Sequence, residues 1–168
     1  MADRCIYFVE GPCEQQLIRV LKENPGLLIP GKIKVFNVVQ KLLPKSQLLS
    51  IQPGTMVVFA FDTDVPVVGN LKKNIELLKR YCSRVEIIYL AQVLNLEDEL
   101  VRCTDIKNVQ ELTKSSGVHQ FKSDFCKMKT NECRHMLERH HFEINRMWMS
   151  EVPQAFCFIE RNGKCVRI

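Results

Sequence analysis

The sequence predicts an α/β protein in which a parallel sheet of about four strands is flanked by helices. Short apolar runs recur through the first hundred residues, and each ends at turn-forming or acidic residues. Segments with apolar residues on one helical face separate these runs, as expected for strand–helix–strand units. The right-handed connections of such units place helices on both faces of the sheet.

Four apolar runs predict the strands. Residues 5–9 are continuously apolar, which is typical of a strand covered on both faces. Residues 33–39, 55–61 and 85–90 predict the second, third and fourth strands. The third run is apolar throughout and stops at Asp62-Thr63-Asp64.

Helical periodicity fills the gaps between these strands. A helix with Leu17, Ile18 and Leu21 on one face should stop before Asn24-Pro25-Gly26. A short apolar helix is predicted at 47–51, before the Pro53-Gly54 turn, and a longer one at 70–81.

From about residue 95 the pattern becomes helical. Asn95 is a good N-cap for a helix over 96–102, and Thr104 or Asp105 begins another that ends at Lys114. Residues 118–128 and 132–140 predict two further helices, and 145–150 predict a turn.

Asn162-Gly163 predicts a terminal β-hairpin. We therefore divide the chain into an α/β core at 1–101 and, packed on it, a helical extension with a hairpin at 102–168.

Composition limits the function classes. The chain has 168 residues and a net charge of +5, which is compatible with a nucleic-acid partner without requiring one. No apolar window approaches the length of a membrane span, and the N-terminus lacks a signal-peptide pattern. We expect a cytoplasmic protein without a membrane partner, whose eight cysteines are mostly buried thiols.

Acidic residues follow three of the predicted strands. Glu10 follows the first, Asp62 and Asp64 end the third, and the segment 97–99 follows the fourth. The carboxyl ends of parallel strands meet at one edge of a sheet, so these acids should gather there. Clustered carboxylates repel each other unless a cation neutralises them, and hard oxygen ligands favour Mg²⁺ or Mn²⁺.

The local spacing agrees with such a site. Alternate side chains of an extended segment point the same way, so Asp62 and Asp64 can face one ion. Gly11 allows the backbone to turn sharply and to approach a phosphate. Glu14 lies in the first turn of the next helix, where the positive end of the dipole tolerates an anion.

Two motifs carry a resemblance to the Toprim family. The segment 8–14, with Glu10-Gly11 leaving the first strand and Glu14 soon after, resembles the first Toprim motif. The segment 57–64, an apolar strand followed by Asp62-Thr63-Asp64, resembles the second. The resemblance covers about residues 5–95 and implies a Rossmannoid sheet. Toprim domains occur in primases, topoisomerases, recombination proteins, ribosomal-RNA maturases and OLD-type nucleases.

The resemblance implies roles for particular residues. Glu10 becomes the acid/base or metal-proximal glutamate, and Asp62 and Asp64 hold the divalent ion. The pairing of Glu10 with Glu14 is more similar to the OLD-type nucleases, in which a further acid and a lysine complete a two-metal site.

Three residues are candidates for the remaining roles of that site. Glu97 or Asp98 is the candidate acid, and Lys122 is the candidate catalytic lysine. The chain departs from the family at Gly69, which stands five residues after Asp64 instead of directly after it. That departure leaves the start of the next helix open.

These features predict a Mg²⁺-dependent protein that acts on nucleic-acid phosphodiesters, as a nuclease or related phosphotransferase. The alternative is a non-catalytic module that binds metal, nucleotide or nucleic acid within a larger complex, and a weaker alternative is a pure protein-interaction role. In the Toprim family, partner proteins usually deliver the substrate, so the resemblance also implies a protein partner that supplies it. The candidate nucleic-acid contacts are Gly11, Lys72, Lys73, Lys79 and Arg80.

Simpler interpretations stand beside these. The acids can be surface charge at strand ends, with Glu14 and Asp98 as ordinary helix-start residues, and the lysines can form a solvated helix face. His119, Cys126, Cys133 and His140 recur every seven residues, a spacing that would suggest zinc on one continuous helix. Thr130-Asn131 predicts a helix start that breaks such a face, which favours core cysteines and surface histidines.

Overall fold

Four strands form one parallel sheet in the computed structural model, which describes residues 5–23 and 26–168. They are β1 (Cys5–Val9), β2 (Lys32–Val35), β3 (Met56–Asp62) and β4 (Glu86–Gln92). Their order across the sheet is β2-β1-β3-β4. All three strand pairs are parallel, so the predicted α/β class is confirmed.

Seven α-helices connect or flank the strands in the described residues. The predicted stop of the first helix at Asn24 and Pro25 lies outside those residues. The helices are α1 (Pro12–Glu23), α2 (Lys45–Leu49), α3 (Gly69–Tyr81), α4 (Leu96–Arg102), α5 (Gln110–Thr113), α6 (Val118–Lys127) and α7 (Thr130–Arg139).

The sheet separates two apolar cores because its side chains alternate between the two faces. Tyr7 and Val9 point into a core shared with α1, α4, α6 and α7. Ile6 and Phe8 point into a core shared with α2, α3 and the residues around Phe156. The helices after residue 102 therefore cover one face together with α1, while the division at residue 101 stays a prediction.

The second strand is shorter than the predicted 33–39. It ends at Val35. Beyond it, the side-chain oxygen of Asn37 accepts hydrogen bonds from the backbone amides of Val39 and Gln40, both at 3.0 Å. This local turn competes with strand pairing, as Asn side chains commonly do. The turn leaves Asn37 just past the carboxyl end of β2.

The predicted terminal hairpin is wrong. Gly163–Val166 forms a 3₁₀ helix, and Asn162 bonds to the edge strand β4. The Asn162 side chain accepts from the Tyr89 amide at 2.9 Å and donates to the Ile87 carbonyl at 2.9 Å. A Cβ atom on Gly163 would lie 3.2 Å from the Tyr89 carbonyl oxygen. Asn-Gly therefore serves close packing against the sheet edge here.

The helix predicted from Thr104 or Asp105 to Lys114 is reduced to Gln110–Thr113. The Thr104 hydroxyl donates back to the Leu100 carbonyl at 2.7 Å, so it is not free to cap a new helix. The other predicted cap is confirmed, because the Asn95 side chain accepts from the Asp98 amide at 3.0 Å.

Two further features of the described chain bear on function. The heptad-spaced cysteines fall on separate helices, Cys126 on α6 and Cys133 on α7, so they do not share one continuous face. None of the helices in ranges 5–23 and 26–168 is long and apolar enough to cross a bilayer.

Candidate functional site

The neighbouring strands β1 and β3 bring Glu10 beside Asp62. The Glu10 amide donates to the Ala60 carbonyl at 3.1 Å, which continues the strand pairing past Val9. The Glu10 carboxylate accepts a hydrogen bond from the Asp62 amide at 3.0 Å. The structure thus brings together the first two predicted site residues at the carboxyl edge of the sheet.

Asp62 carries the clearest electrostatic signature. Burial, as the main cause, and the charges of Glu10, Glu14, Asp64 and Glu97 together raise its pKa to about 8. Its Oδ1 atom is buried and has no hydrogen-bond partner among the residues that the structure describes. Asp62 is therefore a carboxyl group whose negative charge is poorly compensated by the chain itself.

Glu10 shares this environment. Burial is the main cause of its raised pKa, and the charge of Asp64 acts in the same direction. The backbone hydrogen bond at Asp62, the Asn37 side chain and the charge of Lys122 oppose that shift. Glu10 therefore holds a proton more readily than an exposed glutamate does.

Asn37 is a site residue that the sequence interpretation missed. Its side chain lies beside the Glu10 carboxylate and acts to lower the pKa of Glu10, which supports the charged form. The sequence predicts a second strand over 33–39 and so places residue 37 inside it, whereas β2 ends at Val35 and leaves Asn37 at the carboxyl edge of the sheet.

Glu14 lies in the first turn of α1 with only 7% of its surface exposed. Burial raises its pKa, and so do the charges of Glu10 and Glu97, while backbone hydrogen bonds at Glu14 and Gly11 oppose the shift. A Cβ atom on Gly11 would lie 3.1 Å from Glu14 Oε2. Gly11 therefore leaves the space that the Glu14 carboxylate occupies.

Lys122 of α6 reaches the cluster through Glu97 of α4. The Lys122 Nζ atom lies 2.8 Å from Glu97 Oε1, and the two side chains are 54% and 14% exposed. The hydrogen bond to Glu97 is the main cause of the raised pKa of Lys122, and the charge of Asp62 adds to it. The pair thus places one cation beside several carboxylates.

Glu97 is the better placed of the two candidates for the further acid. Its charge contributes to the raised pKa of both Asp62 and Glu14. Asp98 serves the helix start, with its amide bonded to Asn95. The adjacent Glu99 is completely buried and belongs to the interior of the molecule.

A cavity of about 200 Å³ opens beside Glu10, Asp62 and Asp64. Glu10, Asp62 and the exposed Asp64 form its acidic wall. The other lining residues are Asn37, Val39, Gln40, Val65, Val67 and Asn70. The cavity thus joins carboxylates, amides and an apolar rim.

The predicted nucleic-acid contacts on α3 are exposed, but the surface beside them carries both signs of charge. Lys72 and Lys79 line a second cavity of about 290 Å³ together with Glu76 and Glu160. The Lys72 Nζ atom lies 4.8 Å from the centre of the Phe158 ring, a cation–π contact.

The carboxylates do not already form a closed ligand shell. No group of three or more His, Cys, Asp or Glu side chains in residues 5–23 and 26–168 is arranged to hold a metal ion. The Glu10 carboxylate is instead turned toward the Asp62 amide.

Fold and site together define a Rossmann-like α/β protein with a carboxylate cluster at the carboxyl edge of its parallel sheet. No family model, no curated protein and no solved structure matches the chain.

Proposed function

We propose that this chain is a Toprim-like protein that binds Mg²⁺ or Mn²⁺ at the carboxylate cluster and acts on nucleic-acid phosphodiesters. The observation that carries the proposal is the state of Asp62. Its Oδ1 atom is buried without a hydrogen-bond partner in the described chain, and its pKa is raised to about 8. A bound cation would stabilise the charged form of such a carboxylate more than that of one already paired within the chain.

The donor set supports a hard divalent ion. Asp62, Asp64 and Glu10 line one cavity and supply only oxygen ligands. Glu14 and Glu97 lie close enough to influence the pKa of Asp62. These residues would hold the ion, with Asp62 and Asp64 as the central ligands.

The residues of the chain have separate roles in the proposed chemistry. Bound at this edge, the ion would polarise a phosphodiester and lower the pKa of a water molecule. Glu10, whose pKa is raised, accepts a proton more readily than an exposed glutamate does and is the candidate general base. Lys122 stays protonated beside Glu97 and can stabilise negative charge that develops on the phosphate. Asn37 acts to lower the pKa of Glu10 and so supports its charged form.

The nature of the substrate follows from charge. The acidic cavity would repel phosphates without a cation, while a net charge of +5 attracts a polyanion to the rest of the surface. Lys72, Lys73, Lys79 and Arg80 are the candidate contacts for the strand. A protein partner that delivers the substrate stays part of the proposal.

The experiment is a cleavage assay on single- and double-stranded DNA and RNA with Mg²⁺ or Mn²⁺. The wild type is compared with Asp62→Ala and Glu10→Ala, and with Asp105→Asn as a matched control, because Asp105 pairs with His140 away from the cluster. We expect metal-dependent cleavage that falls at least about a hundredfold in the two site variants and persists in the control.

Two outcomes would change the proposal. Cleavage that survives both site substitutions would remove the catalytic assignment. Thermal stabilisation by Mg²⁺ that disappears in Asp64→Ala, without cleavage of any substrate, would favour a non-catalytic metal-binding module.

A further inference from the structure

Two cysteine thiols meet where α1 packs against α6. The sulfur atoms of Cys13 and Cys126 lie 3.2 Å apart. Cys13 stands in the first turn of α1 and is 9% exposed, while Cys126 stands in the last turn of α6 and is partly exposed. The Cys13 sulfur also lies 3.8 Å from the Lys122 carbonyl oxygen.

The pair differs from the other cysteines of the chain in its surroundings. Cys103 and Cys133 are fully buried in the apolar core, where a small oxidant has no access. Cys157 and Cys165 are exposed. Cys126 combines access to solvent with a second thiol in contact, which is the arrangement that thiol–disulfide exchange requires.

We propose that Cys13 and Cys126 form a reversible disulfide when the protein meets a low-molecular-weight disulfide. The Cys126 thiolate attacks one sulfur of that molecule, forms a mixed disulfide and releases one thiol. The Cys13 sulfur then attacks Cys126, forms the internal bond and releases the second thiol. Two protein thiols are oxidised, the small disulfide is reduced to two thiols, and both cysteine protons pass to solvent or to the released thiolates.

The geometry favours the second step. The sulfur atoms lie 3.2 Å apart and need to approach by only about 1 Å to reach a bond length of about 2.05 Å. Both residues lie on helices that already pack together in one core, so the step requires no separate docking of the two elements.

The bond would act directly on the carboxylate cluster. Cys13 stands next to Glu14, and Cys126 lies one helical turn after Lys122 on α6. The crosslink would therefore fix the helix that carries Lys122 against the helix that carries Glu14. Oxidation would restrict the movement of Lys122 relative to the cluster.

The experiment uses the full chain with Cys157→Ser and Cys165→Ser, so that exposed thiols do not react. The protein is incubated with oxidised glutathione, alkylated with iodoacetamide, digested without reductant and examined by mass spectrometry. We expect a linked peptide pair containing Cys13 and Cys126, which dithiothreitol separates. The melting temperature should rise by about 5–10 °C on oxidation, because the bond closes a long loop.

The variant Cys126→Ser in the same background should show neither the linked peptides nor the rise in melting temperature. Glutathione attached to Cys126 without an internal bond would overturn the proposal, and so would a bond from either cysteine to a different partner. These readouts need no metal and no nucleic acid, so they are independent of the proposed function.

Discussion

Glu99 and Asp62 differ in how far the chain itself compensates the charge of their carboxylates. Glu99 is completely buried, and its carboxylate accepts from the Val93 amide at 3.2 Å, from the Trp148 amide at 3.1 Å and from Arg102 at 2.8 Å. Asp62 has a buried oxygen atom without a partner in the described chain and a pKa raised to about 8.

The difference separates a structural acid from a candidate functional one. The chain supplies a cation and two amides for Glu99, which therefore ties β4, α4 and the C-terminal segment together. Around Asp62 the nearest charges are other carboxylates, and Lys122 is engaged by Glu97. Folding alone satisfies the first group, whereas the second requires something from outside.

The largest expected effect on stability comes from removing the carboxylate of Glu99, which is hydrogen-bonded within the chain. Glu99→Ala should lower the free energy of unfolding by about 3 kcal/mol, because it leaves two buried amides and a half-buried Arg102 without their acceptor. Urea denaturation measures this loss. The matched control Glu138→Ala, at an exposed helix surface, should change stability by less than about 0.5 kcal/mol. Equal losses would remove the distinction between the two acids.

A substitution at Asp62 should increase the stability of the protein, in contrast to the substitution at Glu99. Asp62→Asn should raise the free energy of unfolding by about 1–2 kcal/mol at pH 8 without divalent cations, after allowance for solvent screening. The variant should also lose the stabilisation that Mg²⁺ gives the wild type. Thermal melts with and without Mg²⁺ test both points, and a destabilised variant would contradict them.

A pH dependence follows from the same group. Its folded pKa lies above the unfolded value of 3.8, so the folded protein binds more protons between these values and loses stability as pH rises toward about 8. Mn²⁺ affinity should change in the other direction, increasing up to about tenfold per pH unit until Asp62 is ionised. Calorimetric titration over that range measures it, and a flat profile would be inconsistent with Asp62 as a ligand.

The smallest effect is expected at Lys122. Lys122→Met should change the free energy of unfolding by less than about 0.5 kcal/mol, since the lysine side chain is 54% exposed and its ion pair is screened. Loss of the nearby cation should tighten Mn²⁺ binding by about two- to threefold. Calorimetry measures Mn²⁺ affinity in this variant and in Lys127→Met, which removes an exposed lysine of the same helix. A change in Lys122→Met alone separates the effect of the nearby cation from that of net charge.

Strong periodicity and strand ends made much of this molecule predictable. The parallel sheet follows from four apolar runs, and the gathering of Glu10 and Asp62 follows from the shared edge of neighbouring parallel strands. The early end of β2 and the position of Asn37 could not be derived, because they depend on a side-chain turn that competes locally with strand pairing.

Tertiary contacts account for the other differences. Asn162-Gly163 has the local preference of a hairpin, but its side chain and its lack of a Cβ serve packing against β4. Glu99 stands in an acidic run with Glu97, and only the fold separates them, because one turns toward Arg102 and the other toward Lys122. Sequence spacing offers the Glu99–Arg102 pair, three residues apart on one helix, but neither the burial of Glu99 nor the contact of Glu97 with Lys122.

The contact between Asn162 and β4 also has a consequence for association. An edge strand exposes amide and carbonyl groups that can template the strand of another molecule. The Asn162 amide side chain occupies one such donor and one such acceptor in the middle of β4. The segment around Asn162 thereby blocks part of the β4 edge from pairing with a strand of another molecule.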